Sequence, residues 1–191
     1  MKSAQSAAPW DHPWLRDYSR LPNFGLQQCA WWACVLWMGW LGPGVMALFL
    51  CLHFWVTRSA WRAELPLVVL SVLLGTLLDN LLAEMGLVSY VGELRVGESP
   101  FWLVAIWAGF GATLRHSQRT FVDATYKALL TGLLGGPLAY LGGEKLERVV
   151  IDKPAGLVGI ALLWVAVMVS LSLASRALEL KWVNTRDASG V

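Results

Sequence analysis

Residues 65–87 read LPLVVLSVLLGTLLDNLLAEMGL, a run in which Asp79 and Glu84 are the only charges. As a helix this stretch is about 35 Å long, enough to cross a hydrocarbon core of roughly 30 Å. Working outward, similar apolar runs recur at 24–41, 44–57, 100–115, 124–142 and 155–176. The pattern predicts an all-α, polytopic membrane protein, a bundle of six transmembrane helices. Residues 1–23 are expected to form a cytoplasmic interfacial segment, 24–176 the membrane domain and 177–191 a short cytoplasmic tail.

Composition agrees with that reading. The chain is 57% hydrophobic and 15% charged, against roughly 45–50% and about 25% in soluble domains. A soluble chain of 191 residues has no way to hide so much apolar surface. Six crossings take roughly 120 residues, which leaves no room for a second, soluble domain. A net charge of +2 with scattered basic residues argues against nucleic acid as a partner. Cys29, Cys34 and Cys51 lie inside apolar runs without a CxxC pair, so they read as small hydrophobes. No metal and no cofactor is expected for the chain. The first apolar run begins near Phe24 and no small-x-small site follows it, so the first helix is expected to stay in the mature protein.

Flanking segments refine the picture. Trp10, Trp14, Tyr18 and Leu21 recur on one stripe of a helix, as in an interfacial helix lying on the membrane. An irregular tail carrying incidental tryptophans accounts for the same residues. Leu41-Gly42-Pro43-Gly44 predicts a tight turn between the first two crossings. With the N-terminus inside, Lys2, Arg16, Arg20, Arg58, Arg62, Arg115, Arg119, Arg176, Lys181 and Arg186 are cytoplasmic. Arg95, Lys145, Arg148 and Lys153 are then outside, and Lys127 lies in the fifth crossing. The excess of cations on one side predicts an N-in, C-in protein. Trp31, Trp32, Trp37 and Trp40 point around the whole first helix, so they form no single binding stripe. Trp61, Trp102 and Trp182 fall near predicted interfaces, the usual aromatic belt.

Two groups of polar residues remain inside this apolar frame. Asp79, with Asn80 beside it, lies about 12 Å from the outer end of the third crossing. A carboxylate at that depth must face the bundle interior and find a donor. In the fifth crossing, Pro137 within Gly135-Gly136-Pro137 removes a backbone donor and predicts a kink that frees the carbonyl of Leu133. Trp107 reaches the same depth, and Tyr140 follows Pro137. Asp79, Asn80, Trp107, Pro137 and Tyr140 are thus one candidate ligand-binding pocket, open outward. A plain interhelical hydrogen bond and a packing kink explain the same residues. The second candidate group, at the cytoplasmic end, is Gln28, His53, Glu64, Arg115 and His116. Histidines, a glutamate and arginines at one level suit a lipid phosphate or acid/base work on a headgroup. Snorkelling arginines at helix ends are the simpler account of Arg115.

Several signatures are missing. The chain has no GxSxG, HExxH, Walker loop, CxxC or aspartate-rich prenyl-diphosphate motif. His53 and His116 lie far apart on different predicted helices, so no i, i+4 metal pair exists. A three-plus-three arrangement would make the two halves an inverted repeat, with glycine–proline breaks at 41–44 and 134–137, as in transporters.

Other residues carry a family resemblance over about 23–174. They are Asn23 with Gln28 and Trp31, Glu64, Gly75 with Asp79, and Pro100-Phe101-Trp102-Leu103 with Trp107 and Phe110. Thr113-Leu114-Arg115-His116-Ser117 and Gly135-Gly136-Pro137-Leu138-Ala139-Tyr140-Leu141-Gly142 complete the set. Together they resemble an uncharacterised family of bacterial inner-membrane proteins, domain-of-unknown-function family 2878. The resemblance implies company with lipid-modifying enzymes, such as methyltransferases like cyclopropane-fatty-acid synthase and proteins like flavin amine oxidases. The expected function is therefore binding or presenting a membrane lipid or acyl chain, with membrane lipids and lipid-modifying enzymes as partners. A small proton-coupled or solute transporter centred on Asp79, an intramembrane lipid-modifying enzyme and a purely structural role are the alternatives.

Overall fold

A computed structural model of the protein describes residues 18, 21–58 and 60–189, with 181–189 described by backbone alone. The interfacial stripe read from Trp10 and Trp14 lies outside the described residues.

The elements in chain order are α1 (Leu21–Leu36), α2 (Leu41–Val56), α3 (Trp61–Glu84), β1 (Val88–Tyr90), β2 (Arg95–Val96), β3 (Ser99–Pro100) and α4 (Phe101–Thr113). A short α5 (Arg119–Val122) leads to α6 (Thr125–Leu130), a π-helical turn (Thr131–Gly135), α7 (Gly136–Lys145), β4 (Val149–Ile151) and α8 (Ala155–Ser189). Helix α4 packs against α1, α2 and α3, and α3 also packs against α8. The broken helix from α6 to α7 packs on α8. Gly132 makes that last contact possible, because a Cβ there would meet the Val165 backbone at 2.6 Å.

Helices α3 and Ala155–Leu180 of α8 are long and apolar enough to cross a membrane, while Leu41–Val56 and Phe101–Thr113 are apolar but shorter. Their outward faces carry large apolar side chains, among them Leu48, Trp55, Leu73, Leu138, Val158 and Leu162, all more than half exposed. A water-facing surface rarely exposes so many large apolar side chains, whereas a lipid-facing one does.

Four features differ from the sequence reading. The turn between the first two helices covers Trp37–Trp40, and Leu41-Gly42-Pro43-Gly44 instead opens α2. Proline suits that place, because the amides of a first helical turn have no intrahelical acceptor to lose. The end of the molecule at Leu87–Ser99 is also not helical throughout. There β1 pairs antiparallel with β4, Tyr90 opposite Val149, and β2 pairs with β3, Arg95 opposite Pro100. Trp102 lies buried beneath this end and donates from Nε1 to the Val91 carbonyl at 2.8 Å, so it is not a belt residue. Finally, α8 runs on to Ser189, through the segment read as a tail. The break at Pro137 is present as the π turn, which shifts the hydrogen-bond register before the proline.

Candidate functional site

His53 ends α2 and Glu64 lies in the first turn of α3. The turn between them is closed by Thr57, whose Oγ1 donates to the His53 carbonyl at 2.9 Å, and by the Ala60 amide on the Thr57 carbonyl at 2.7 Å. His116 follows α4 in a tight turn held by its amide on the Thr113 carbonyl at 3.0 Å. These three backbone devices aim three side chains at one point. His53 Nε2 lies 2.8 Å from Glu64 Oε2, and His116 Nε2 lies 2.9 and 3.0 Å from Oε1 and Oε2. All three residues are buried, and the imidazole rings are 5.1 Å apart at 85°. A search for helical i, i+4 spacing misses this arrangement, since tertiary packing makes the pair.

An outer layer fixes the cluster. The Tyr18 hydroxyl meets His53 Nδ1 at 3.0 Å, and Asn23 Nδ2 donates to it at 3.3 Å. Asn23 Oδ1 in turn accepts from Ser117 Oγ at 2.7 Å and from the Ser117 amide at 3.3 Å. Burial pushes the Tyr18 hydroxyl up to about 12, so it stays neutral at physiological pH. The sequence placed Tyr18 only on an amphipathic stripe and gave no sign of this contact.

Of the other two residues expected in the cluster, one lies at its edge and one apart from it. Arg115 is buried, lies within electrostatic reach of the Glu64 carboxylate, and faces Glu179 at 4.0 Å, beside the Arg119–Glu179 pair at 3.3 Å. Gln28 donates to Gln27 Oε1 at 3.1 Å and lines a cavity instead.

The second group forms around Asp79, which is fully buried. Its Oδ2 accepts from Trp107 Nε1 at 2.8 Å. Its Oδ1 accepts from Tyr90 at 3.1 Å and from the Tyr140 hydroxyl. The β1–β4 pairing delivers Tyr90, and the π turn sets the rotation of α7 that delivers Tyr140. Burial and the adjacent Asp79 carboxylate hold the Tyr90 hydroxyl above its ordinary value, which keeps it a donor. Trp107 is seated against Gly75, where any Cβ would collide with the indole, and stacks obliquely on Trp164 at 4.9 Å. The expected meeting of Asp79, Trp107 and Tyr140 is therefore present. Asn80 points elsewhere: its Nδ2 donates to the Thr76 and Val96 carbonyls at 2.7 and 3.2 Å, and its Oδ1 accepts from the Glu98 amide at 2.6 Å. Pro137 serves the helix break, not the cluster. Tyr90 lies outside every apolar run, so depth counting along helices passed over it.

Between α1 and α4 on one side and α6–α7 on the other lies a cavity of about 700 Å³. Its walls are largely aromatic and aliphatic, with Trp31, Ile106, Phe110, Leu134, Ala139 and Trp164 among them. Gln27, Gln28, Gln118 and Lys127 line it near the histidine end. Tyr90, Tyr140 and Arg148 line it near the Asp79 end. Arg148 is tied to α1 through Nε on the Val35 carbonyl at 2.8 Å. Phe121, Leu130 and Leu134 also line it and are about half exposed. Tyr90, Trp107 and Tyr140 thus belong to both the Asp79 cluster and the cavity wall, whereas His53, Glu64 and His116 do not line the cavity.

No curated protein and no solved structure matches the chain. A family model does match over residues 20–181, described as "Protein of unknown function (DUF2878)". Glu64, Asp79, Trp107, His116 and Tyr140 all fall inside that span, and the chain belongs to this family.

Proposed function

We propose that this is a six-span, N-in/C-in protein of a bacterial inner membrane that binds one long apolar chain of a membrane lipid. It would present that lipid to lipid-modifying enzymes. The six crossings are α1, α2, α3, α4, the broken α6–α7 helix and α8. The exposed leucine-rich faces and the excess of cations at one end support this disposition. The shorter helices, such as α2 with 16 residues, fit a locally thinned bilayer.

The observation that carries the lipid reading is the cavity. Its volume of about 700 Å³ falls within the roughly 300–1,000 Å³ of small-molecule sites. Its apolar walls suit an acyl or isoprenoid chain entering from the bilayer past Phe121, Leu130 and Leu134. The amides of Gln27, Gln28 and Gln118 with the Lys127 ammonium suit the headgroup. Lys127 is paired with Asp123 at 2.8 Å, and a phosphate would compete for it.

The test is lipid retention. Protein purified in mild detergent and washed extensively is expected to carry a defined lipid by native mass spectrometry. Ala139→Trp, which fills the cavity from its wall, is expected to lose it while remaining monodisperse. Equal retention by both proteins, or none in the wild type, would refute the reading.

A second reading, a carrier centred on Asp79, has one supporting observation. The three donors that hold its carboxylate also line the cavity. It requires pH-dependent flux in proteoliposomes that Asp79→Asn abolishes.

A further inference from the structure

We propose that His53, Glu64 and His116 hold a divalent transition-metal ion with a preference for nitrogen and carboxylate donors, such as Zn²⁺, Fe²⁺ or Mn²⁺. This inference is independent of what fills the cavity.

Helices α2 and α3 and the turn after α4 each contribute one ligand-type side chain, and their ligand atoms all lie within 4.8 Å of one another in a buried place. Both imidazoles present the same nitrogen, Nε2, to one carboxylate at 2.8 to 3.0 Å. Ligands bound at about 2.1 Å in a tetrahedral shell are about 3.4 Å apart, so shifts of about half an ångström at the carboxylate contacts would seat an ion between them. Two imidazoles and a carboxylate suit Zn²⁺, Fe²⁺ or Mn²⁺ better than Ca²⁺, which prefers an all-oxygen shell, or Cu⁺, which prefers sulfur. Three protein ligands also leave positions for water or another molecule.

The surrounding layer has the form that orients metal-bound histidines. His53 keeps Nδ1 against the Tyr18 hydroxyl, which Asn23 positions and Ser117 anchors in turn. Without an ion, His53 Nε2–H donates to Glu64, and Nδ1 accepts from Tyr18. With an ion on Nε2, the proton lies on Nδ1 and is donated to the Tyr18 oxygen. Tyr18 is thus a positioning residue able to serve both tautomers. Asn23 and Ser117 adjoin Gln27 and Gln118, which places the ion beside the polar end of the cavity.

The experiment uses the full chain, without a histidine tag, purified from membranes. Elemental analysis by plasma mass spectrometry is expected to find about one transition-metal ion per chain, as for a single ligand set. Chelation should remove it and lower the melting temperature. Adding Zn²⁺, Mn²⁺ or anaerobic Fe²⁺ salts alone should restore that temperature for at least one ion. Glu64→Gln and His116→Ala should lose the ion and the ion-dependent shift. Tyr18→Phe should keep the fold but weaken affinity about 10- to 100-fold. If a ligand variant fails to fold, the stripped wild-type titration still decides the question. The proposal is overturned if wild type carries no ion and none of the three salts shifts its melting temperature. It is equally overturned if folded Glu64→Gln and His116→Ala retain wild-type metal content.

Discussion

His53 Nε2 and Glu64 Oε2 lie 2.8 Å apart across the turn that joins α2 to α3, and the same carboxylate receives His116 from the far end of α4. Glu64 is therefore the hub, and each histidine is a spoke. Hydrogen bonds to a charged group contribute roughly 1.5–3 kcal/mol each. Glu64→Ala is expected to destabilise more than His53→Ala or His116→Ala alone. The two histidine losses should also be non-additive, because they share one acceptor. Thermal unfolding of detergent-purified variants, followed by tryptophan fluorescence, measures both. Equal costs for all three would remove Glu64 from its central place.

Gly75 is the tightest seat in the Asp79 group, because a Cβ there would enter the Trp107 indole. Gly75→Ala must push Trp107 away from Asp79 or move α3 from α4. Overpacking of this kind costs typically 1–3 kcal/mol. The expected result is a lower melting temperature and a shifted tryptophan emission. Trp107→Ala in the same chain should recover part of the packing cost, since it empties the seat. No recovery would mean that the strain lies in the helix backbone instead.

How much of this was legible in the sequence depends on how each part is specified. Apolar runs mark helices because lipid and core both reward continuous apolarity, and all the predicted runs contain helix. The depth of Asp79 and Trp107, read from counting residues along helices, brought two true neighbours together. Tyr90 escaped because it reaches Asp79 from a strand pair, and β1 finds β4 only through the fold. Asn80 and Asp79 are adjacent in sequence yet face apart, since neighbours on a helix differ by about 100° in direction. His53 and His116 share no local period, so only the packing of α2, α3 and α4 reveals them as a pair.

Asn80 pins the segment after β1 by holding the Glu98 amide and the Val96 carbonyl. Arg95 pins it again through the Gly92, Glu98 and Tyr90 carbonyls at 2.8 to 3.0 Å. Asn80→Ala removes the first anchor without touching the Asp79 bonds. It is expected to speed tryptic cleavage after Arg95 several-fold, with little change in global melting temperature. Peptide mapping of a limited-proteolysis time course reads this directly. Unchanged cleavage would mean that the arginine anchor alone holds the segment.

Asp79 accepts from Tyr140 and Tyr90 on one oxygen and from Trp107 on the other. A buried carboxylate with three donors holds α3, α4, α7 and β1 together at one point, and each donor depends on the others for its place. Tyr140→Phe removes one donor but leaves two, so it should cost roughly 1–3 kcal/mol. Asp79→Asn turns one acceptor into a donor facing other donors, so it should cost more. In the double variant the amide no longer faces the Tyr140 hydroxyl, and part of that conflict disappears. The double-mutant cycle should therefore give a coupling of roughly 0.5–3 kcal/mol. Unfolding in mixed micelles measures each corner of the cycle. A coupling near zero would show that Tyr140 and Asp79 act independently, and the carboxylate would then owe its place to Trp107 and Tyr90.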